Sequence, residues 1–201
     1  MKLLFVRIFL PVTLFFSSCA IQVPPSGGLK DTEPPRLLSS DPDNYSTSFE
    51  GKDIRLDFEE YISLNNINSQ LIVSPLLKYF PETKIRNKSL FIHFTDTLMK
   101  NTTYTLNFGQ GIVDNNEGNK LENFQFVFST GPVIDSLFVK GNIINAFDRK
   151  KESGILASLY THIEDSIPLL ERPIYFSRTN DSGQFFIRNI SPLVSLRPIS
   201  L

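Results

Sequence analysis

Few side chains in this sequence are of the types that carry chemistry. There are two histidines, His93 and His162, and a single cysteine, Cys19. A metal site or a nucleophile–base pair needs several such groups converging. His93 stands beside Ile92 in an alternating stretch, and His162 follows the run Leu156 to Tyr160; neither has a second imidazole or a thiolate close by in sequence. Glu59 and Glu60 are adjacent carboxylates, but neighbours on a strand face opposite sides, so they read as solvated strand-end charges rather than an acid–base pair. Asp114-Asn115-Asn116-Glu117-Gly118 spaces its oxygens as a calcium loop does, yet it lacks the distal bidentate Glu and the flanking helices. It reads as a plain turn, with one weakly held calcium ion as the alternative. Asp181-Ser182-Gly183 reads as a turn on the same grounds. No Gly-rich phosphate loop, nucleophile elbow or basic aromatic stripe is present. The expectation is a non-enzymatic protein with no catalytic residues, no metal and no cofactor.

Cys19 has a more specific setting. Met1 to Ser18, MKLLFVRIFLPVTLFFSS, places Lys2 and Arg7 before an apolar run that ends in small residues. Those are the three parts of a secretory signal, and the run is too short to span a bilayer as a mature helix. Phe16-Ser17-Ser18-Cys19-Ala20 resembles a bacterial lipobox, with Phe16 where Leu is usual. That resemblance implies cleavage before Cys19 and acylation of its sulfur and amine, enough chains for a stable lipid anchor. With one cysteine in the chain, neither an intrachain disulfide nor a thiolate zinc cluster can form. Residues 20–35, AIQVPPSGGLKDTEPP, carry two Pro pairs, a Gly pair and no hydrophobic period, so they read as a tether from about 19 to 35. The segment just after Cys19 lacks the acidic residues of a surface-export signal, which leaves open the face of the outer membrane to which the protein is bound.

Beyond the tether the elements are strands. Tyr104, Leu106 and Phe108 alternate with Thr103, Thr105 and Asn107, and Phe124, Phe126 and Phe128 repeat the pattern. Period two with aromatic and β-branched residues predicts half-buried strands, the Thr face wet. Ile54, Leu56 and Phe58 alternate likewise, as do Leu90, Ile92 and Phe94; Leu71 to Ser74 is a short strand stopped by Pro75, which makes it an edge or a terminal strand. With 18 Phe and no Trp, the core should be built of Phe. Roughly seven short strands at turn spacing predict an all-β sandwich over residues 34–131. Charge is balanced, 20 Lys+Arg against 21 Asp+Glu, which gives no basic field for nucleic acid.

The order of Pro34-Pro35-Arg36-Leu37, Ile54-Arg55-Leu56-Asp57-Phe58-Glu59-Glu60, Asn101 to Phe108, Asp114 to Asn119 and Phe124 to Gly131 resembles the bacterial Ig-like domain of the SbsA type, found in Ig-like domain-containing lipoproteins of Bacteroidota. The resemblance implies an architectural module used as a spacer or an adhesion or assembly unit, with no catalytic residues.

Residues 135–201 read as a second module. Gly141-Asn142-Ile143-Ile144-Asn145-Ala146 and Thr179 to Ile190 resemble the carboxypeptidase-regulatory-like, or transthyretin-like, sandwich. Tyr175 to Ile190 reads as a hairpin about Asp181-Ser182-Gly183. The final SPLVSLRPISL has neither the Gly nor the aromatic strand that the resemblance calls for, so the fold class expected is an Ig-like β-sandwich followed by an incomplete second β-sandwich, apparently truncated. Half a sandwich cannot bury its inner face, so residues beyond about 136 should be marginal alone.

Three tripeptides resemble the Asp-Ser/Thr-apolar O-glycosylation sequon of Bacteroidota and nominate Thr97, Ser136 and Ser166. Asn44, Asn87 and Asn101 match the N-linked sequon, which a bacterial lipoprotein would rarely use. The functional expectation is a lipid-anchored envelope protein held to the outer membrane by Cys19. Its sandwiches would display a surface to an unknown envelope protein or glycan in a structural or adhesive role. A carbohydrate-binding accessory lipoprotein is the alternative; it would use exposed aromatic residues, with Tyr45, Tyr61, Tyr79 and Phe80 the candidates.

Overall fold

The structure, a computed structural model, describes residues 30–162, 164–192 and 197–198. Cys19, the signal segment 1–18 and the tether up to residue 29 lie outside the described residues.

The alternating stretches become strands in two facing layers. One layer is a four-stranded antiparallel sheet. It contains β1 (Leu37–Asp41), β2 (Asp53–Phe58), β5 (Glu82–Arg86) and β6 (Ser89–His93), in the order β1-β2-β6-β5. The other contains β4 (Ile72–Ser74), β7 (Thr103–Asn107) and β9 (Gln125–Ser129) in the order β4-β7-β9. Beside it lies the pair β3 (Ile62–Leu64) and β8 (Ile112–Asp114). A single helical turn, α1 (Ile67–Gln70), links β3 to β4. As the proline rule anticipates, β4 is an edge strand.

Between the layers the period-two residues meet. Ile54, Leu56 and Phe58 of β2 with Leu90 and Ile92 of β6 pack against Tyr104 and Leu106 of β7 and Phe126 and Phe128 of β9. Antiparallel register sets Tyr104 opposite Phe128 and Leu106 opposite Phe126. Phe128 is the hub of the core: its ring centroid lies 4.7 Å from Phe49, 5.4 Å from Tyr104, 5.6 Å from Phe94 and 6.4 Å from Phe126. Residues 45–49 run along the outer edge of β9. Tyr45 N–H donates to Val127 C=O (2.7 Å), and Ser129 N–H donates to Ser46 C=O (2.9 Å). That segment occupies backbone groups which an open edge would present to another chain.

The second module has two small sheets. β10 (Leu137–Asn142) pairs with β13 (Gln184–Ile190), and β11 (Leu156–Tyr160) lies between β12 (Tyr175–Arg178) and β14 (Arg197–Pro198). The turn helix α2 (Ile167–Leu170) follows β11. The expected hairpin over Tyr175 to Ile190 does not form. The turn is there, with Gly183 at φ +69 and Asn180 Oδ1 accepting from Ser182 N–H and Gln184 N–H (both 3.0 Å), but it carries the chain from one sheet to the other. Local turn chemistry fixes a reversal without fixing which partner the next strand takes. Leu159, Tyr175, Ile187 and Ile190 form the buried centre, and the walls leave an apolar cleft of about 410 Å³ reached by Ile144, Ile155 and Leu156.

The Thr face of β7 is a second departure from the sequence reading. Thr103 and Thr105 are buried because β12 and β13 lie across the outer side of β4 and β7; Val127 on β9 is buried as well. The seam is stitched by polar groups. Thr105 Oγ1 donates to Asn189 Oδ1 (3.2 Å), Asn189 Nδ2 donates to Asp135 C=O (3.0 Å), and Asp135 N–H donates to Thr103 Oγ1 (2.8 Å). Leu76 N–H adds a bond to Ile174 C=O (3.0 Å). Asn189 sits at a bulge, where β13 places two residues, Arg188 and Asn189, between paired Ile187 and Ile190 against the single Phe138 between Leu137 and Val139 on β10. Its φ is +57, a conformation that Asn tolerates better than most residues. The small second core leans on this seam.

Candidate functional site

The residues nominated for chemistry are held by the fold in separate places. His93 faces Asp53 across β2 and β6, with Nδ1 2.7 Å from a carboxylate oxygen. His162 Nδ1 lies 3.2 Å from Glu171 Oε2. Each histidine therefore has one carboxylate within hydrogen-bond distance on the surface, and His93 also stands opposite Glu82 of β5. Glu59 turns toward Arg36 (3.8 Å), whereas burial pushes the Glu60 carboxyl up, assisted by the negative charges of Asp114 and Asp31. The two adjacent glutamates thus face different surroundings. Among the described residues no group of three or more His, Cys, Asp or Glu is placed to hold a metal ion.

The Asp114 loop is organised around its own carboxylate. Asp114 is 1% exposed. Its Oδ1 accepts from the N–H groups of Asn116 (2.8 Å), Glu117 (2.6 Å) and Gly118 (3.2 Å), and its Oδ2 from that of Asn119 (2.7 Å). Gly118 supplies the positive φ, +79, that aims those amides inward. Burial alone would raise the carboxyl's pKa; the four amide donors outweigh it and hold the pKa below the usual carboxylate range. Successive amides converging on an anion form a nest, filled here by the protein's own side chain. Sequence reading identified the turn and missed that its first residue is the buried organiser. The signal was an Asp closing a strand ahead of Asn, Glu and Gly.

Thr97, Ser136 and Ser166 are all exposed and outside strands: Thr97 after β6, Ser136 just ahead of β10, Ser166 at the N-cap of α2 with no hydrogen bond from its side chain to the helix. A transferase could reach each hydroxyl. Asn44, by contrast, is committed to the fold: its Oδ1 accepts from Val127 N–H (2.8 Å). Asn87 and Asn101 occupy left-handed turn positions, φ +55 and +50.

Tyr45, Tyr61, Tyr79 and Phe80 are all exposed, but they do not form one platform. Tyr45 lies along β9, and Tyr61 carries Lys88 Nζ 5.5 Å above its ring and adjoins Asn115. Tyr79 lines a groove of about 690 Å³ at the junction of the two modules. Pro75 and Leu77 from the first module and Pro173 and Ile174 from the second form its apolar walls. Met99, 51% exposed, and Tyr79, 54% exposed, stand at its surface. Lys78 and Arg172 also line it. Neither cation is in an ion pair among the described residues, although Lys78 Nζ lies 5.1 Å from the Tyr79 ring centroid. No spacing argument could have joined Lys78-Tyr79 to Arg172-Pro173, because the fold alone brings those dipeptides together.

No helix among the described residues is long and apolar enough to cross a membrane. Among curated proteins none matches the chain. A solved structure, the N-terminal part of the bacterial S-layer protein SbsC, is similar at 13% identity and a TM-score of 0.35 over 78% of this chain. The chain spans 44% of that structure's length. Residues 31–130, which take in all of β1 to β9, match the family described as the bacterial Ig-like domain. The first module is therefore a β-sandwich that matches the bacterial Ig-like domain family.

Proposed function

We propose that the protein is a non-catalytic, lipid-anchored component of the cell envelope that displays its Ig-like module for structural or adhesive contacts. In this reading the signal segment is removed before Cys19, Cys19 is acylated, and residues 20–35 hold the sandwich off the outer membrane. The observation that carries it is the order of parts: a short apolar segment ending in the chain's single cysteine, a Pro/Gly tether, then an Ig-like domain over residues 31–130. The hydrogen bonding of Asp114 supports a scaffold role for the most ligand-like loop, since its carboxylate orders the loop itself. Cys19→Ala should abolish metabolic labelling with palmitate and release the protein from the membrane fraction; a variant still labelled would overturn the anchor.

A second reading, the carbohydrate-binding accessory lipoprotein, is favoured by one observation: Tyr79 stands half exposed on a groove rather than on open surface.

A further inference from the structure

We propose that the groove between the two modules binds an acidic saccharide, a sugar chain bearing carboxylate, sulfate or phosphate groups. This deepens the carbohydrate-binding reading and rests on it, while standing apart from the lipid anchor. The groove's volume, about 690 Å³, is in the range of ligand sites, which favour the junctions between domains.

What the walls offer determines the class of ligand. An added peptide strand would need a continuous run of free main-chain donors and acceptors along one edge, and here most of the lining breaks that run. Pro75 and Pro173 have no N–H. The N–H of Leu76 goes to Ile174 C=O (3.0 Å), and that of Ile174 to Leu159 C=O (3.0 Å). Tyr79 N–H goes to Asp96 Oδ2 (2.7 Å), and Met99 N–H to Tyr104 Oη (2.8 Å). Side chains therefore supply most of the recognition.

Those side chains are an exposed aromatic ring, apolar Pro and Met surfaces, and the two cations Lys78 and Arg172, neither held by an acid among the described residues. Asp96 accepts from the Tyr79 amide, and Glu171, next to Arg172, is turned to His162. An aromatic face suits the C–H face of a pyranose, and unpaired cations suit its anionic substituents, Arg with a planar fork and Lys as a point charge. A neutral sugar would leave both cations unanswered.

The test uses the full chain in detergent, titrated by calorimetry with polygalacturonate, with neutral dextran and with poly-glutamate. Binding of polygalacturonate that weakens with salt, with no binding of dextran, is expected. Lys78→Gln combined with Arg172→Gln should weaken it about tenfold or more, and Tyr79→Ala should weaken it comparably. The pair Lys84→Gln and Arg86→Gln, on β5 of the same domain, should leave it unchanged. Far-ultraviolet circular dichroism and the melting temperature establish that each variant is folded. Equal binding by the groove variants would overturn the site, and equal affinity for poly-glutamate would overturn the saccharide in favour of an acidic peptide. Failure with every acidic saccharide while neutral glycans bind would sink this inference and spare the broader carbohydrate reading; failure with all glycans would sink both.

Discussion

Asn189→Ala removes both arms of the bridge between the modules at a single position. The side chain accepts from Thr105 Oγ1 at 3.2 Å and donates to Asp135 C=O at 3.0 Å, and each such bond contributes about 0.5–1.5 kcal/mol net. The backbone there has φ +57, and an alanine in that conformation costs about 1 kcal/mol more than a residue suited to it. The sum is a loss of about 2–4 kcal/mol. Asn189→Gly loses the same bonds but keeps the conformation, so it should be milder by at most about 0.5 kcal/mol once glycine's greater unfolded-state entropy is subtracted. Asn189→Asp keeps the acceptor but sets a carboxylate oxygen against the Asp135 carbonyl in a part-buried seam, so it should cost at least as much as Gly. Urea unfolding of the purified chain followed by circular dichroism reads these differences, with a midpoint shift of about 1 M for Ala at the slope expected of a chain this size. Hydrogen exchange of peptides covering β10 and β13 should accelerate in the same order. Three variants equal to one another and within about 0.5 kcal/mol of the parent would refute the argument that this bridge couples the modules.

Other consequences can be tested alongside. Phe128→Ala empties the hub of the first core and should cost about 3–5 kcal/mol, lowering Tm by about 6–20 °C for a chain of this size; Phe124→Ala, which is only partly buried, should cost less, and the reverse ranking would displace Phe128 from the hub. The lowered Asp114 pKa means that its carboxylate contributes stability which is fully present above the unfolded value of about 3.9 and is lost as pH falls through the lower native value. Melting curves of Asp114→Asn should therefore show a destabilised protein above about pH 4 whose acid sensitivity is smaller than the parent's. Protein purified from its native host should lose one glycan-sized mass step with each of Thr97→Ala, Ser136→Ala and Ser166→Ala; unchanged intact masses would remove those sites.

The first core was legible because its rule is local. Ile54-Leu56-Phe58, Leu90-Ile92-Phe94 and Phe124-Phe126-Phe128 each state a face by period two, and each sends that face inward. The turn at Asp114 to Asn119 was legible from residue type, while the burial of Asp114 was not, since a turn Asp is ordinarily wet. Thr103 and Thr105 misled for a related reason. Threonine alternating with aromatic residues marks a solvated face unless another element covers it, and the covering strands lie far along the chain. Hydroxyls can be buried there because Asn189 and Asp135 satisfy them. The hairpin expected over Tyr175 to Ile190 failed because a Gly turn sets chain direction but not sheet membership. The groove was invisible because its walls come from two modules.

A strand that faces two interiors answers to two sets of neighbours. The threonines of β7 can change only in step with the strands laid over them, so the first sandwich does not carry its outer surface as private property. Grafting a different second module onto this one would require the newcomer to bring its own left-handed Asn, or an equivalent amide, to the same bulge. Cutting the chain after residue 131 would leave a polished face with no cover. The boundary between the modules is a line in the sequence and a shared wall in the molecule.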